Sequence, residues 1–247
     1  MGDKLMEKLE VQFPRGNCPV YSWGPDDRKA PVVLFFPDAF GPRPASFAVA
    51  EELAAEGWRV LMLDQFYQHI PYEPLTPKSL FEEGPERDRV MQMFMSIDMP
   101  KIDEDVAAMI ALAEERSDPG VPFAATGYCM GGRYCLSAIT GSERVVFAGA
   151  FHASNIAPAE GDSPHLRFAK AKGRIYIAAA GTDPTYGAEE HGRLAQALRE
   201  ADTDHIIENY KGAMHGWVYP DLAIYDEAAA KKHMRRLKEN LSELFAQ

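Results

Sequence analysis

Three side chains suited to nucleophilic acyl transfer stand just past strand-like apolar runs. Cys129 ends PFAATGYC, Asp183 follows RIYIAAAGT and His215 follows HIIENYKGAM. Ligands of open parallel sheets gather beyond the carboxyl ends of the strands. The order nucleophile, acid, histidine is that of one well-known triad arrangement. The stretch ATGYCMGGRY sets Cys129 between Gly127 and Gly131, with Gly132 following. On a sharp strand-to-helix turn, side chains two residues to either side of the nucleophile would collide with the strand or the helix, and glycine removes them. The sulfur then stands at a helix N-terminus, where the macrodipole favours a thiolate. The N–H of Met130 is placed to donate to an oxyanion, with a second donor expected from Ala39 in the loop after VVLFF. Each piece also has a plainer reading: a glycine-rich turn around a small buried thiol, a turn aspartate in GTDP, a loop histidine in MHGW. The ordered set at three strand ends points to a reactive site.

The elements that must position these groups alternate between strand-like and helix-like. KLEVQF and CPVYSW read as an opening strand pair, and APVVLFF, RVLMLDQF, PFAATGYC, VFAGAFHAS, RIYIAAAGTD and HIIENYKGAMHG as further strands. SFAVAEELAAEGW, KIDEDVAAMIALAEER, GGRYCLSAITG, GAEEHGRLAQALREA and IYDEAAAKKHMRRLKENLSELF carry helical spacing. The alternation implies a mostly parallel sheet of about seven or eight strands with helices on both faces, in one domain over residues 1–247. Tyr67 to Pro100 holds five prolines and a Met-rich run and reads as irregular, too short for more than a small cap.

The 247 residues carry a formal charge of -11. That argues against a nucleic-acid-binding face, which needs clustered Lys and Arg, and against anionic membrane surfaces. No apolar run approaches the ~20 residues of a membrane span, and no signal peptide is visible. The three cysteines, Cys18, Cys129 and Cys135, lack paired spacing, which suits neither a disulfide framework nor a zinc site. Reduced thiols in a cytoplasm are the expectation.

GYCMGG, AGTDPTYG and GAMHGW resemble the three triad segments of the dienelactone hydrolase family in type and order, and FFPDAFG is similar to that family's oxyanion loop. The resemblance runs from Ala30 to the C-terminus. It implies an α/β-hydrolase fold and hydrolysis of lactones or related esters by Cys129, His215 and Asp183, with no cofactor and no metal. ERDRVMQMF resembles the family's substrate-side arginine segment, so Arg87 is implied as a carboxylate-binding residue, with Arg89 in an alternative register. The departures are specific. Asp38 stands where the family usually has a glutamate that interacts with the thiol. Met91 and Phe94 replace a tyrosine and a tryptophan, and Tyr219 replaces an arginine four residues past the histidine. Half of the anion clamp is thus missing, which predicts a less anionic, more apolar substrate.

Phe40, Met91, Phe94 and Trp217 are expected to pack on that substrate, and His152 to lie near the site as a pocket residue or a satisfied loop histidine. His69, His165, His191, His205 and His233 read as surface, Glu189 and Glu190 as an exposed first helical turn, and Cys135 as buried and inert. The expected function is a cysteine-dependent hydrolase of carboxylic esters or lactones acting on a small molecule. One alternative is a broad arylesterase with promiscuous phosphotriesterase activity. Another is a non-catalytic ligand-binding or thiol redox-sensing relative. The oligomeric state is not readable.

Overall fold

The computed structural model describes residues 6–72, 75–76 and 83–246. The strands are β1 (Glu7–Phe13), β2 (Gly16–Trp23), β3 (Val32–Phe36), β4 (Arg59–Leu63), β5 (Phe123–Tyr128), β6 (Val145–Phe151), β7 (Arg174–Thr182) and β8 (His205–Met214). The helices are α1 (Pro44–Ala54), α2 (Pro85–Met95), α3 (Met99–Glu115), α4 (Gly131–Gly141), α5 (Ala188–Glu200) and α6 (Glu227–Phe245). All eight strands form one sheet in the order β1-β2-β4-β3-β5-β6-β7-β8. β1 and β2 run antiparallel, and the other six are mutually parallel.

The central strands VVLFF, RVLML and FAATGY are buried at every residue. Such runs are buried on both faces, as helix-covered parallel strands must be. α1 and α6 share one face, where Lys238 reaches Glu52 and Glu56 at 3.0 and 2.8 Å. α3 and α4 pack together on the other. The parallel part of the sheet starts at β3, adds β4 on one side, then crosses to place β5 on the other side of β3. That reversal opens a crevice beyond the ends of β3 and β5. The loop after Phe36 and the cysteine after Tyr128 therefore meet by topology alone.

The Met-rich run is a helix, α2, where an irregular segment is expected from sequence. Gly84 precedes it, Pro85 begins it, and Glu86 and Asp88 occupy its first turn, as its macrodipole favours. Val90 and Met93 point inward, while Met91 and Met95 are exposed. The proline density upstream masked this pattern, and part of that segment lies outside the described residues.

His233 is also not a surface residue. It lies in α6, 1% exposed, and its Nε2 sits 2.9 Å from the Tyr128 hydroxyl at the end of β5. Burial pushes His233 down to about 3. A histidine held below its ordinary value takes up its proton first in the unfolded chain, so its contribution to stability is complete above pH ~6.5 and is lost as pH falls. Each such group steepens the loss by up to about 1.4 kcal/mol per pH unit below pH ~6.5. His233→Leu should lower stability at pH 7 by about 1–3 kcal/mol, because the Tyr128 hydroxyl loses this partner. It should also flatten the fall between pH 6.5 and 5, read by urea unfolding at each pH. An unchanged slope would remove His233 from the acid response.

Candidate active site

The turn after β5 is strained at the cysteine. Cys129 has φ 53°, in the left-handed region that non-glycine residues rarely occupy. Its N–H donates to the Phe151 carbonyl at 3.1 Å, and its own carbonyl accepts from Gly132 N at 3.1 Å. The glycines around it are required by contact. A Cβ on Gly127 would lie 2.0 Å from the Gly131 oxygen, one on Gly131 2.2 Å from the Phe36 oxygen, and one on Gly132 2.3 Å from the Ala153 Cβ. α4 thus begins jammed against the end of β3. Met130 is fully buried. Among the described residues, neither the Met130 N–H nor the Ala39 N–H meets an acceptor.

β7 and β8 deliver the other two groups. Asp183 Oδ2 accepts from His215 Nδ1 at 2.7 Å. Asp183 Oδ1 accepts from the backbone N–H and the hydroxyl of Thr185 at 2.8 and 2.7 Å. Burial would raise the Asp183 carboxyl, but His215 and these Thr185 donors outweigh it and hold it low. Burial likewise works against a charged His215, yet the Cys129 sulfur and the Asp183 carboxylate push it up to about 10. Cys129 is half-buried, and it and His215 line one cavity.

That cavity holds about 460 Å³ and sits at the ends of β3, β5, β6, β7 and β8. Asp38, Ala39, Phe40, Met91, Phe94 and His152 line it, as expected from sequence. Val90, Met214, Leu222 and Ile224 extend an apolar wall. Among the described lining residues there is no Lys or Arg. A larger groove, about 750 Å³, lies between α1 and α6 and carries neither the thiol nor the aspartate–histidine pair. Among the described residues no three His, Cys, Asp or Glu side chains are grouped to hold a metal ion.

Four expected contacts are not where sequence put them. Arg87 points away from the cavity, its guanidinium half exposed and 3.9 Å from Glu83. Arg89, the alternative, pairs with Glu86 and lies against Met93, beside Tyr72. On the exposed side of α2, both face solvent-accessible acids. Trp217 and Tyr219 are each 0% exposed and do not line the cavity. Both turn into the core, Trp217 stacking on Tyr210 and Tyr219 packing on Tyr128. Glu190, read as exposed, accepts the backbone N–H groups of Ile156 and Ala157 at 2.7 and 3.0 Å and so fixes the loop after β6.

Sequence reasoning missed Arg43 and Thr185. Arg43 is 7% exposed and reaches Asp38 through two nitrogens, at 2.6 and 3.0 Å, while its Nε donates to Asp221 at 2.7 Å. Its guanidinium lies 4.5 Å from the Tyr219 ring centre. Asp38 is thus committed to Arg43 and to the Phe40 N–H at 3.0 Å rather than to the thiol. Burial raises the Asp38 carboxyl, and Arg43 with the Phe40 N–H opposes that shift. Arg43 ties the loop after β3 to the segment following His215. The only signal for it was an arginine two residues past the FFPDAFG motif, next to a proline. Removing one partner from a buried pair leaves the other charge uncompensated, which costs about 3–5 kcal/mol. Arg43→Met should lose about that much, and Arg43→Met with Asp38→Asn should recover part of it, measured by urea unfolding. Equal stability of wild type and Arg43→Met would overturn this account.

Comparison with known proteins follows the same lines. The family model described as dienelactone hydrolase family matches residues 18–245. Dienlactone hydrolase 2 of Gibberella moniliformis is 31% identical over 197 residues, 78% of this chain and 68% of that protein. Hydrolase tropI of Talaromyces stipitatus is 28% identical over 198 residues, 79% of this chain and 74% of that protein. Among solved structures, a dienelactone hydrolase-like promiscuous phosphotriesterase from metagenomic libraries superposes with TM-score 0.78 at 20% identity, covering 98% of this chain and 99% of that one. A Pyrobaculum calidifontis esterase follows at TM-score 0.65 and 14% identity, over 98% and 86%. With the family model spanning nearly the whole chain, the α/β-hydrolase fold built around this elbow places the protein in the dienelactone hydrolase family.

Proposed function

We propose that this chain is a thiol-dependent hydrolase of neutral carboxylic esters and lactones. The observation that carries the reading is the cavity itself: a half-buried thiol on a strained glycine-flanked turn and an aspartate-held histidine, walled by apolar side chains with no cation among the described lining residues. His215 takes the Cys129 proton, and its raised pKa favours holding it. The sulfur attacks the ester carbonyl, and the N–H groups of Ala39 and Met130 hold the oxyanion. Collapse expels the alcohol, which takes the proton from His215. Water, deprotonated by His215, then attacks the thioester and releases the acid and the free thiol. Asp183 orients His215 and stabilises its charge, with Thr185 holding the aspartate.

A second activity has a specific support. A neutral phosphotriester has the same lack of charge, and the oxyanion donors suit a phosphoryl oxygen. A structural relative at 20% identity is titled a promiscuous phosphotriesterase. The redox-sensing alternative, with a thiol that reacts with peroxide instead of an ester, is separated by turnover.

Cys129→Ala should abolish turnover of a p-nitrophenyl ester, while Cys18→Ala and Cys135→Ala keep it, since both of those thiols are buried and held high by burial. Mass spectrometry with a slow ester should find an acyl group on Cys129. Full activity in Cys129→Ala, or an adduct elsewhere, would end the reading.

The second prediction concerns charge. A carboxylate entering a cavity without a matching cation loses a charge-assisted partner, at about 1.5–3 kcal/mol, or roughly 10- to 150-fold. Neutral aryl or short-chain esters should therefore exceed carboxylate-bearing lactones in kcat/KM by about that ratio. Tyr219 is unsuitable for restoring the cation, because an arginine there would meet Arg43. Met91, at the cavity wall and partly exposed, is the suitable position. Met91→Arg should shift the ratio toward the anionic lactone. A wild type that prefers the anionic lactone would refute the substrate argument and leave the thiol chemistry standing.

A further inference from the structure

His152 ends β6 and lines the same cavity as Cys129 and His215. It is 1% exposed, and among the described residues neither ring nitrogen has a hydrogen-bond partner. Buried side-chain nitrogens without partners are rare, and each costs about what a lost hydrogen bond costs. A neutral imidazole offers one donor and one acceptor. The ring is fixed by packing instead: its centre is 5.2 Å from that of His215 and 5.0 Å from that of Trp217, both edge to face.

The backbone there is built, not slack. His152 has φ 39° and Asn155 φ 54°, both in the left-handed region. The His152 N–H donates to the Ala178 carbonyl at 2.9 Å. Beyond it, Glu190 holds Ile156 and Ala157, Arg193 donates to the Ala157 carbonyl at 2.9 Å, and Ser163 donates to the Ile156 carbonyl at 2.8 Å. Ser154, also buried, lines the cavity beside His152. Strain kept in place by this many bonds at a cavity wall is a mark of function. Burial, then the neighbouring His215 and His233, keep His152 uncharged.

We infer that His152 is a specificity-determining residue: a small turn of its ring, whose nitrogens are both enclosed here, brings one of them to hydrogen-bond an uncharged hydroxyl on the acyl part of the substrate, near the scissile carbonyl. The preferred substrates are then hydroxy-substituted esters or lactones with an otherwise apolar body, which the facing wall of Val90, Met91, Phe94, Leu222 and Ile224 accepts. The two imidazole centres are 5.2 Å apart, so the hydroxyl belongs on the acyl carbons nearest the carbonyl. This inference rests on the ester-hydrolase reading above. A site built to pair a hydroxyl rejects the analogue that lacks it, because its own polar groups stay unpaired.

The test compares the phenyl esters of 2- and 3-hydroxybutanoate with phenyl butanoate. In wild type, kcat/KM should favour one hydroxy ester about tenfold after division by the same pair's ratio in alkaline hydrolysis, which removes intrinsic reactivity. His152→Phe should bring that ratio to about one, and His152→Asn, which keeps a donor and an acceptor and tolerates positive φ, should restore part of it. If His152→Phe does not fold, the wild-type ratio alone decides. A wild-type ratio near one for both hydroxy esters, or the same ratio in His152→Phe, overturns the proposal. So does an equal loss on all three esters together with a shifted pH profile, which would make His152 a support for His215. Calorimetric titration of the same esters into Cys129→Ala, with and without His152→Phe, reads the hydroxyl contact without turnover. If no ester acylates wild type while that binding difference persists, the hydrolase reading fails and the His152 contact stands.

Discussion

Everything at the reactive end of this molecule depends on how closely α4 approaches β3. Contacts that leave no room for a Cβ at Gly127, Gly131 or Gly132 let the helix start directly off β5, and the thiol is left at its tip. The cost is a non-glycine residue at φ 53°, which the hydrogen bonds to Phe151 and Gly132 hold in place. The same approach brings the loop after β3 against the helix start. The sheet order then supplies the aspartate and histidine from β7 and β8 in the same crevice.

A second constraint is electrostatic. Three charged groups, Asp38, Arg43 and Asp221, are gathered against Tyr219 at the edge of the cavity. Such a cluster stabilises little in net terms, because desolvation offsets the Coulomb attraction. Its use here is geometric, since it links the loop before α1 to the segment after β8. An arginine engaged by two carboxylates is not free to meet a third from a substrate.

The legible parts were those that local chain sterics dictate. Glycines flanking a cysteine, a buried run before Asp183, a strand-like run before His215, and helices of 3.6-residue spacing all announce themselves within a few positions. What sequence could not show were contacts closed over long separations. Arg43 meets Asp221 from 178 residues away in the chain, His233 meets Tyr128 from another element, and Glu190 caps a loop over thirty residues away. Tyr219 was correctly placed in the chain but its direction was not: the backbone after His215 turns the ring inward, under Arg43. α2 was obscured by the prolines before it, although its inward stripe of Val90 and Met93 is helical.

The lack of a cation among the described residues of the cavity wall also bears on how a turnover would finish. Any carboxylic ester cleaved there becomes a carboxylic acid, which at neutral pH sheds its proton. The new anion then sits among Val90, Phe94, Leu222 and Ile224, in a protein of formal charge -11. Apolar surroundings strongly disfavour an unpaired charge, and the surrounding field repels it. On the proposed reading, a wall that welcomes a neutral substrate would by that property be a poor host for its product, so the chemistry itself would supply the drive for the acid to leave and the thiol to be vacated.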